Sequence, residues 1–480
     1  MDRQNEWIEI PILQALEKHQ SVERTSLHVP GHKAGRGLYS DFAKYAGSLA
    51  RLDATELPGL DDLHHPQEVI AEAQRLASAA WGSDDTFFLV NGSTVGNLVA
   101  VMSVVTAGDT VIVGRDAHQS IWHALALAKV KVIAVTPSYV GMLIGSVRTF
   151  DIEAAMNAYP EAVAVIITSP TYHGIVSDLF SIVKIAHAKN MTVIVDEAHG
   201  AHLAFHPDLP PSAVSAKADL VVQSAHKMTA AFTQTGLLHV NGDNVDLETV
   251  RYYLRVFQTS SPSYLFLASL DAARAQLVAD GKELLGEAMQ FLTAGKALLS
   301  EEFPGLINGG FADLPSDPFK WTIWSGQWGV SGEHLARAFA ASGIFVELYD
   351  TEHALLVWSF ANSVNDMERV IKVIQKALRG KLWRIYEKES LRWDEAMPRL
   401  TEVWPSGYAK NISKLGELDQ LVNKKAAQAI TLCPPGIPLV LPDEVYTSNM
   451  IQYIKKCIEF GLRVDGLVNS VEGRAWFLNE

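Results

Sequence analysis

A chain of 480 residues with 48% hydrophobic, 9% aromatic and 20% charged content lies near globular averages, which excludes a disordered, collagenous or fibrous chain. Lys and Arg number 40 against 54 Asp and Glu, a net charge of −14, and no basic cluster offsets it, which argues against a nucleic-acid partner. The two cysteines, Cys433 and Cys457, form no C-x-x-C pair, so neither a structural zinc site nor a secreted disulfide framework is indicated.

The start, Met1-Asp2-Arg3-Gln4-Asn5-Glu6, is polar and leads into no apolar h-region, so no secretion signal is evident. Apolar runs such as Val163-Ala164-Val165-Ile166-Ile167 are far shorter than the roughly 20 residues a membrane helix needs. A cytoplasmic chain without membrane segments is expected.

Apolar positions Ile8, Ile10, Leu13 and Leu16 predict an opening helix within residues 1–20. The breaker-rich segments from His28 to Gly37 and from Asp53 to Pro66 read as loops. An Ala-rich helix follows at about Gln67–Trp81. The chain then alternates strands and helices: strand Thr86–Val90, helix Val95–Val105, strand Thr110–Val113, helix Gln119–Ala128, strands Lys131–Val135 and Val163–Thr168, helix Leu179–Ala188, and strands Thr192–Asp196 and Leu220–Gln223. This pattern predicts an α/β fold with βαβ crossovers and a mostly parallel sheet, whose ligands gather at the carboxyl ends of strands.

After Leu299 the pattern changes. Strands at Phe319–Trp324 and Ala354–Phe360 with helices at His334–Ser342 and Asn365–Leu378 predict a smaller α+β domain. From about residue 380 the chain reads as helical and charged, broken by Thr431–Pro438, and closes on a helix near Ser448–Phe460. The expected organisation is residues 1–66 as an N-terminal helix and active-site loops, 67–299 as the large domain, 300–380 as a small α+β domain and 381–480 as a C-terminal domain.

The sharpest chemical signal is Asp196-Glu197-Ala198-His199-Gly200 after one strand and Ser224-Ala225-His226-Lys227 after the next. An Asp at a strand end with a Lys just past the neighbouring strand suits pyridoxal phosphate: Lys227 would form the Schiff base with the cofactor aldehyde, and buried Asp196 would keep the pyridinium nitrogen protonated. Taken alone, Asp196 reads as a helix cap and Lys227 as a surface lysine; it is the pair that points to the cofactor. Between a strand and a helix, Asn91-Gly92-Ser93-Thr94 offers hydroxyls and N–H groups for a phosphate, and Ser224 would add another. His118, in Arg115-Asp116-Ala117-His118-Gln119-Ser120, would lie on one ring face with Ala198 on the other. His199 and His202 with Glu197 nearby lack the H-E-x-x-H order of a metal hydrolase, and no metal is expected.

The series G-S-T, R-D-A-H-Q-S, S-P-T-Y-H-G, D-E-A-H-G-A-H and S-A-H-K, with H-V-P-G-H-K near the start and P-P-G-I-P near the end, resembles the ornithine/lysine/arginine decarboxylases, bacterial pyridoxal phosphate enzymes of the aspartate aminotransferase fold. The resemblance runs through nearly the whole chain. It implies Lys227 as the Schiff-base lysine, Asp196 as the pyridinium partner, His118 as the stacking histidine, and Ser93, Thr94, Ala198, His199, Ser224 and His226 as phosphate or ring neighbours. It also implies a homodimer with active sites at the subunit interface, in which Thr259 and Ser260 reach the neighbour's phosphate.

An acidic recess for a basic substrate would draw on Glu56, Asp61 and Asp62, which read equally as a solvated loop. The expected reaction is decarboxylation of arginine, lysine or ornithine to agmatine, cadaverine or putrescine. An aminotransferase or another amino-acid lyase on the same fold is the alternative, and a non-catalytic cofactor-binding regulator is the alternative of another class. His226, Lys227 and His199 all remain open as proton donors to the substrate carbon. Two departures from the family stand out, Ser169 where many relatives have Asn and Cys433 where many have Tyr. A third is the short start, with H-V-P-G-H-K after one helix, which leaves no room for the regulatory N-terminal wing of the large members.

Overall fold

A computed structural model describes residues 7–21, 25–140, 143–308, 314–382, 397–405, 413–432, 437–459, 461–468 and 473–478. The chain divides into two compact units, one of Met1–Val104, Ile194–Pro207 and Pro211–Lys282, the other of Val105–Val193, Asp208–Pro210 and Glu283–Glu480.

The first unit carries, in sheet order, Asp85–Leu89, Gly236–Val240, Leu220–Gln223 and the end of Thr192–Asp196. The first two pairings are antiparallel and the last is parallel, setting Asp196 opposite Val222. These strands are apolar on both faces because helices cover them. Helix Gly92–Met102 crosses so closely that a Cβ on Gly96 would meet Val222 Cγ1 at 2.6 Å and Leu89 Cδ1 at 2.7 Å. Only glycine fits there.

Helix Val69–Trp81 is started from a distance. The Asp61 carboxylate, in a residue with φ +67°, accepts from the Ile70 and Ala71 amides at 3.0 and 3.3 Å and from Gln67 and Glu68 at 3.0 and 2.9 Å, satisfying first-turn donors that no intrahelical acceptor reaches. Ahead of it, Arg274 on the 39-residue helix Tyr264–Glu302 pairs with Asp271 at 2.7 Å and donates to the Trp7 and Glu9 carbonyls, while the Ile12 amide donates to Asp271. This buried group ties the N-terminal segment down.

The second unit carries, in sheet order, Ala162–Thr168, Thr110–Gly114 and Lys131–Val135, all parallel, and Leu400–Val403 antiparallel at the edge. Arg115, just past Thr110–Gly114, is buried with Glu444: its two terminal nitrogens donate to the two carboxylate oxygens at 2.8 and 2.5 Å, and one also reaches the Leu439 carbonyl at 3.1 Å. A small antiparallel sheet, Lys320–Ile323, Ala354–Val357 and Leu348–Tyr349, packs with helix Gly332–Ala341, against which helix Val364–Leu378 lies. The second of those helices opens on a Ser363–Asp366 capping box.

The large sheet is mixed and mostly parallel, as the alternation predicts. Strands Lys131–Val135, Thr192–Asp196 and Leu220–Gln223 and helix Gln119–Ala128 keep their predicted bounds. The opening helix is Pro11–Gln20, and its buried positions are Ile12 and Leu16; of the predicted positions Leu16 is buried, while Ile8 and Ile10 precede the helix.

The reading of the chain beyond residue 380 as helical is overturned. Its described part is mainly β: Leu400–Val403, Ser413–Glu417, Ile430–Leu432, Ile437–Val440 and Arg474–Leu478, with one helix at Ser448–Glu459. In Leu400–Val403, Ser413–Glu417 and Arg474–Leu478 the charged residues share short strands with buried ones instead of marking a solvated helix. Leu418, Leu421, Ile430, Val440, Tyr446, Met450, Ile454 and Ala475 form their core. Cys433, Pro434, Pro435 and Gly436 lie outside the described residues, and Ser169 is buried, its hydroxyl accepting from the Ser177 amide at 3.1 Å.

Candidate active site

Adjacent strand ends assemble the centre of the first unit. Asp196 closes its strand fully buried; one carboxylate oxygen accepts from Asn97 Nδ2 at 2.8 Å and the other from the Ala198 amide at 3.1 Å. Lys227, on the short turn Ala225–Met228 after the neighbouring strand, sets Nζ 3.1 Å from His199 Nε2. The chain thus turns back at Gly200 to bring a lysine and an imidazole together beside a buried carboxylate.

Ser93 and Ser224 meet as well, the Ser224 hydroxyl donating to Ser93 Oγ at 2.5 Å. Ser93 lies in the first turn of Gly92–Met102, where amide groups and the helix dipole favour an anion. A Cβ on Gly236 would come within 2.8 Å of the Gln223 carbonyl oxygen and 3.2 Å of the Ser93 nitrogen, so the backbone of this cradle closes only around glycine. Thr94, beside Ser93, is exposed.

The other expected residues lie around or apart from this centre. His226 donates from Nδ1 to the Thr235 carbonyl at 2.9 Å. Thr259 and Ser260 are exposed; the Thr259 amide donates to Asn91 Oδ1 at 3.1 Å and its carbonyl accepts from His64 Nε2 at 2.9 Å. His118 belongs to the second unit and caps helix Gln119–Ala128, its Nδ1 accepting from the Ser120 amide at 3.2 Å, which leaves the proton of a neutral ring on Nε2.

The three acids of the early loop differ. Asp61 is committed to the amides of helix Val69–Trp81, and Asp62 accepts from the His64 amide at 2.8 Å. Glu56 takes the Thr55 hydroxyl on Oε2 and keeps Oε1 buried without a partner among the described residues.

Sequence reasoning missed Asn97 and the group beneath Asp196. Asn97 lies four residues past Ser93, on the same helix face, and that spacing was the available signal. Glu197, fully buried, accepts from the Ala213 amide at 2.6 Å and from Gln223 Nε2 at 2.7 Å. Burial pushes its carboxyl up to about 8, against those two hydrogen bonds. Gln223 Oε1 lies 3.1 Å from His239 Nε2, and His239 Nδ1 lies 2.8 Å from Thr86 Oγ1. Burial pushes the His239 ring down to about 3, so it stays neutral. No pattern in the chain announces this row.

Pyridoxal phosphate fits the donor set. Lys227 offers an amine for an aldehyde, Asp196 an anion for a pyridinium, and the Ser93–Ser224 pair at a helix start two hydroxyls for a phosphate. Among the described residues no group of His, Cys, Asp and Glu could hold a metal ion.

The fold and this centre define an α/β protein on a mixed, mostly parallel sheet, with a lysine and a buried carboxylate at adjacent strand ends. The model of the Orn/Lys/Arg decarboxylase major domain matches residues 10–305, and that of the family's C-terminal domain matches residues 403–477. The chain belongs to the Orn/Lys/Arg decarboxylase family and is a decarboxylase. It is 35% identical over 462 residues to an uncharacterized protein, YaaO, of Bacillus subtilis, covering 95% of this chain and 96% of that one. It is 33% identical over 470 residues to a Bacillus subtilis arginine decarboxylase, covering 95% of each. The Francisella novicida lysine decarboxylase superposes with a TM-score of 0.84 at 20% identity, over 98% of this chain and 81% of that one.

Proposed function

We propose that the chain decarboxylates a basic amino acid with pyridoxal phosphate as cofactor, and that the substrate is arginine, released as agmatine and CO2. One observation carries the cofactor reading: the Lys227 amine faces His199 while buried Asp196 closes the adjoining strand. When bound, the cofactor supplies a sink for the electron pair left as the Cα–carboxylate bond breaks.

The residues divide the remaining work. Lys227 would hold the cofactor aldehyde covalently and give it up to the substrate amine. Asp196, steadied by Asn97 and the Ala198 amide, would hold the proton on the ring nitrogen, and Ala198 would line the ring. Ser93 and Ser224, with Thr94 beside them, would take the phosphate. His118 would lie against the ring with Nδ1 already committed to its helix. Of the three candidate proton donors to the substrate Cα, His199 and Lys227 stand together, whereas His226 is turned toward the Thr235 carbonyl.

Glu56 is the best placed of the early acids for a cationic head group, since one of its oxygens is buried and open to a partner. Arginine is favoured by the 33% identity to an arginine decarboxylase along the full chain. A planar guanidinium would need a forked carboxylate contact that an ammonium does not.

We further propose a homodimer in which Thr259 and Ser260 complete the neighbour's phosphate site. Exposed Leu27, Val29, Tyr39, Phe42 and Tyr45, all from one stretch of the chain, support it: Leu27 is 89% and Tyr45 85% exposed, apolar side chains that a partner would cover. A cytoplasmic location accords with Cys457 as a buried free thiol and with the lack, among the described residues, of any helix long and apolar enough to cross a membrane.

Incubation with arginine, lysine and ornithine in turn, with and without added pyridoxal phosphate, tests the reading. Agmatine and CO2 from arginine alone support it; cadaverine or putrescine as main product overturns the substrate, and turnover independent of the cofactor overturns the cofactor. Sedimentation of an active monomer would sink the shared site.

A further inference from the structure

Asp196 and Glu197 are neighbours at one strand end and point opposite ways. Asp196 faces Asn97; Glu197 enters a closed row that runs Glu197, Gln223, His239, Thr86 and Ser83, with contacts of 2.7, 3.1, 2.8 and 2.8 Å. The Glu197 amide donates to the Val222 carbonyl at 2.9 Å, and a Cβ on Gly200 would meet Glu197 Cγ at 2.4 Å. The side chain therefore sits inside the turn that carries His199 toward Lys227.

The row has two self-consistent proton arrangements. In one, Glu197 is ionised, both its oxygens accept, Gln223 donates to it, His239 Nε2–H donates to Gln223 Oε1, and His239 Nδ1 accepts from Thr86. In the other, Glu197 carries a proton and donates it to the Gln223 oxygen. The Gln223 amide turns over within the same volume and donates to His239 Nε2, and His239 Nδ1–H donates to Thr86.

We infer that Glu197 is a positioning residue that works as a neutral acid, and that the Gln223 amide and the His239 tautomer turn over together when it gains or loses its proton. An ionised carboxyl without a cationic partner is disfavoured in a dry interior. The titratable groups around it are Asp196 and His199 on its own turn and His239 on the strand Gly236–Val240. The donors that reach its two oxygens, the Ala213 amide and Gln223 Nε2, are both neutral; His239 is held neutral by burial, and burial raises the Glu197 carboxyl against those two donors. In this form Glu197 holds the Asp196–Gly200 turn without placing charge beside Asp196; ionisation adds that charge and loosens the turn. The role rests on the proposed cofactor site, but the proton arrangement does not.

Two measurements test it. In 15N-histidine-labelled protein, with the His239 signal assigned by its loss in H239Q, the ring is expected as the Nδ1–H tautomer near pH 6 and as Nε2–H toward pH 9; E197Q, a permanent mimic of the neutral acid, is expected to hold Nδ1–H throughout. A single wild-type tautomer across that range overturns the proposal. In equilibrium titration with pyridoxal phosphate, E197Q is expected to match wild-type affinity near pH 7 and to lose the weakening that wild type shows on the alkaline side. A loss of about tenfold at pH 7 in E197Q with unchanged circular dichroism, equivalent to about 1.4 kcal/mol, would mean that the charge is what counts and overturns it too. A tautomer change without cofactor binding would sink the functional reading and leave the proton arrangement standing.

Discussion

Asn97 donates through Nδ2 to Asp196 Oδ2 at 2.8 Å, from the same helix whose first turn carries Ser93. One rigid element thus supports both ends of the proposed cofactor, the anion site at its start and the carboxylate one turn further on. A hydrogen bond to an ionised group is worth about 1.5–3 kcal/mol, so N97A is expected to weaken pyridoxal phosphate binding by roughly ten- to a hundredfold. Equilibrium titration of the apo-protein measures it, and unchanged affinity would show that Asp196 needs no such support.

Lys227 carries the covalent proposal. K227A is expected to abolish turnover while leaving the melting temperature of the apo-protein near wild type, since the side chain is only half-buried. Borohydride reduction of the loaded protein followed by peptide mapping should place the label on Lys227; a label elsewhere refutes its role.

Stability should fall on both sides of mildly acid pH. Glu197 keeps its proton in the folded state up to about 8, against 4.5 for the ordinary carboxyl. Its contribution is fully present below about 4.5 and is lost as pH rises through that window, by up to about 1.4 kcal/mol per unit. His239, held down to about 3 from 6.5, works the other way: its contribution is present above 6.5 and lost as pH falls. Melting curves across pH are expected to lose the decline between about pH 4.5 and 8 in E197Q and to soften the acid decline in H239Q.

Arg115 and Glu444 join the two segments that the family models recognise separately, in a setting where both side chains are almost fully buried. E444Q strips the guanidinium of its counter-charge and is expected to cost about 3–5 kcal/mol. A combined R115M/E444L replacement should cost less, because no charge is left stranded. Urea unfolding of the three proteins checks the order, and an E444Q protein as stable as wild type would contradict it.

Asp61 offers a way to separate support from substrate contact. Its carboxylate takes the first amides of helix Val69–Trp81, so D61A is expected to lower stability by about 1–2 kcal/mol with KM for the amino acid unchanged. E56Q, by contrast, is expected to raise KM at constant melting temperature. A KM effect confined to D61A would reverse the two roles.

Much of this molecule was legible along the chain. Buried parallel strands are continuous apolar runs with sharp ends, so Lys131–Val135, Thr192–Asp196 and Leu220–Gln223 could be bounded by reading alone, and the polar residues just past two of those ends, Asp196 at the first and Lys227 after the second, stood out because nothing structural requires that combination. The β-structure beyond residue 397 escaped, since one-sided or short strands carry weak periodicity, and Gly236–Val240 escaped although fully buried, because its opening glycine and His239 interrupt the apolar run. The meeting of Lys227 with His199, the hold of Asn97 on Asp196, and the row from Glu197 to Ser83 escaped for a different reason. Each depends on side chains brought together across strands and helices many residues apart, where burial and hydrogen-bond geometry set their protonation and their partners, and local pattern has no access to either.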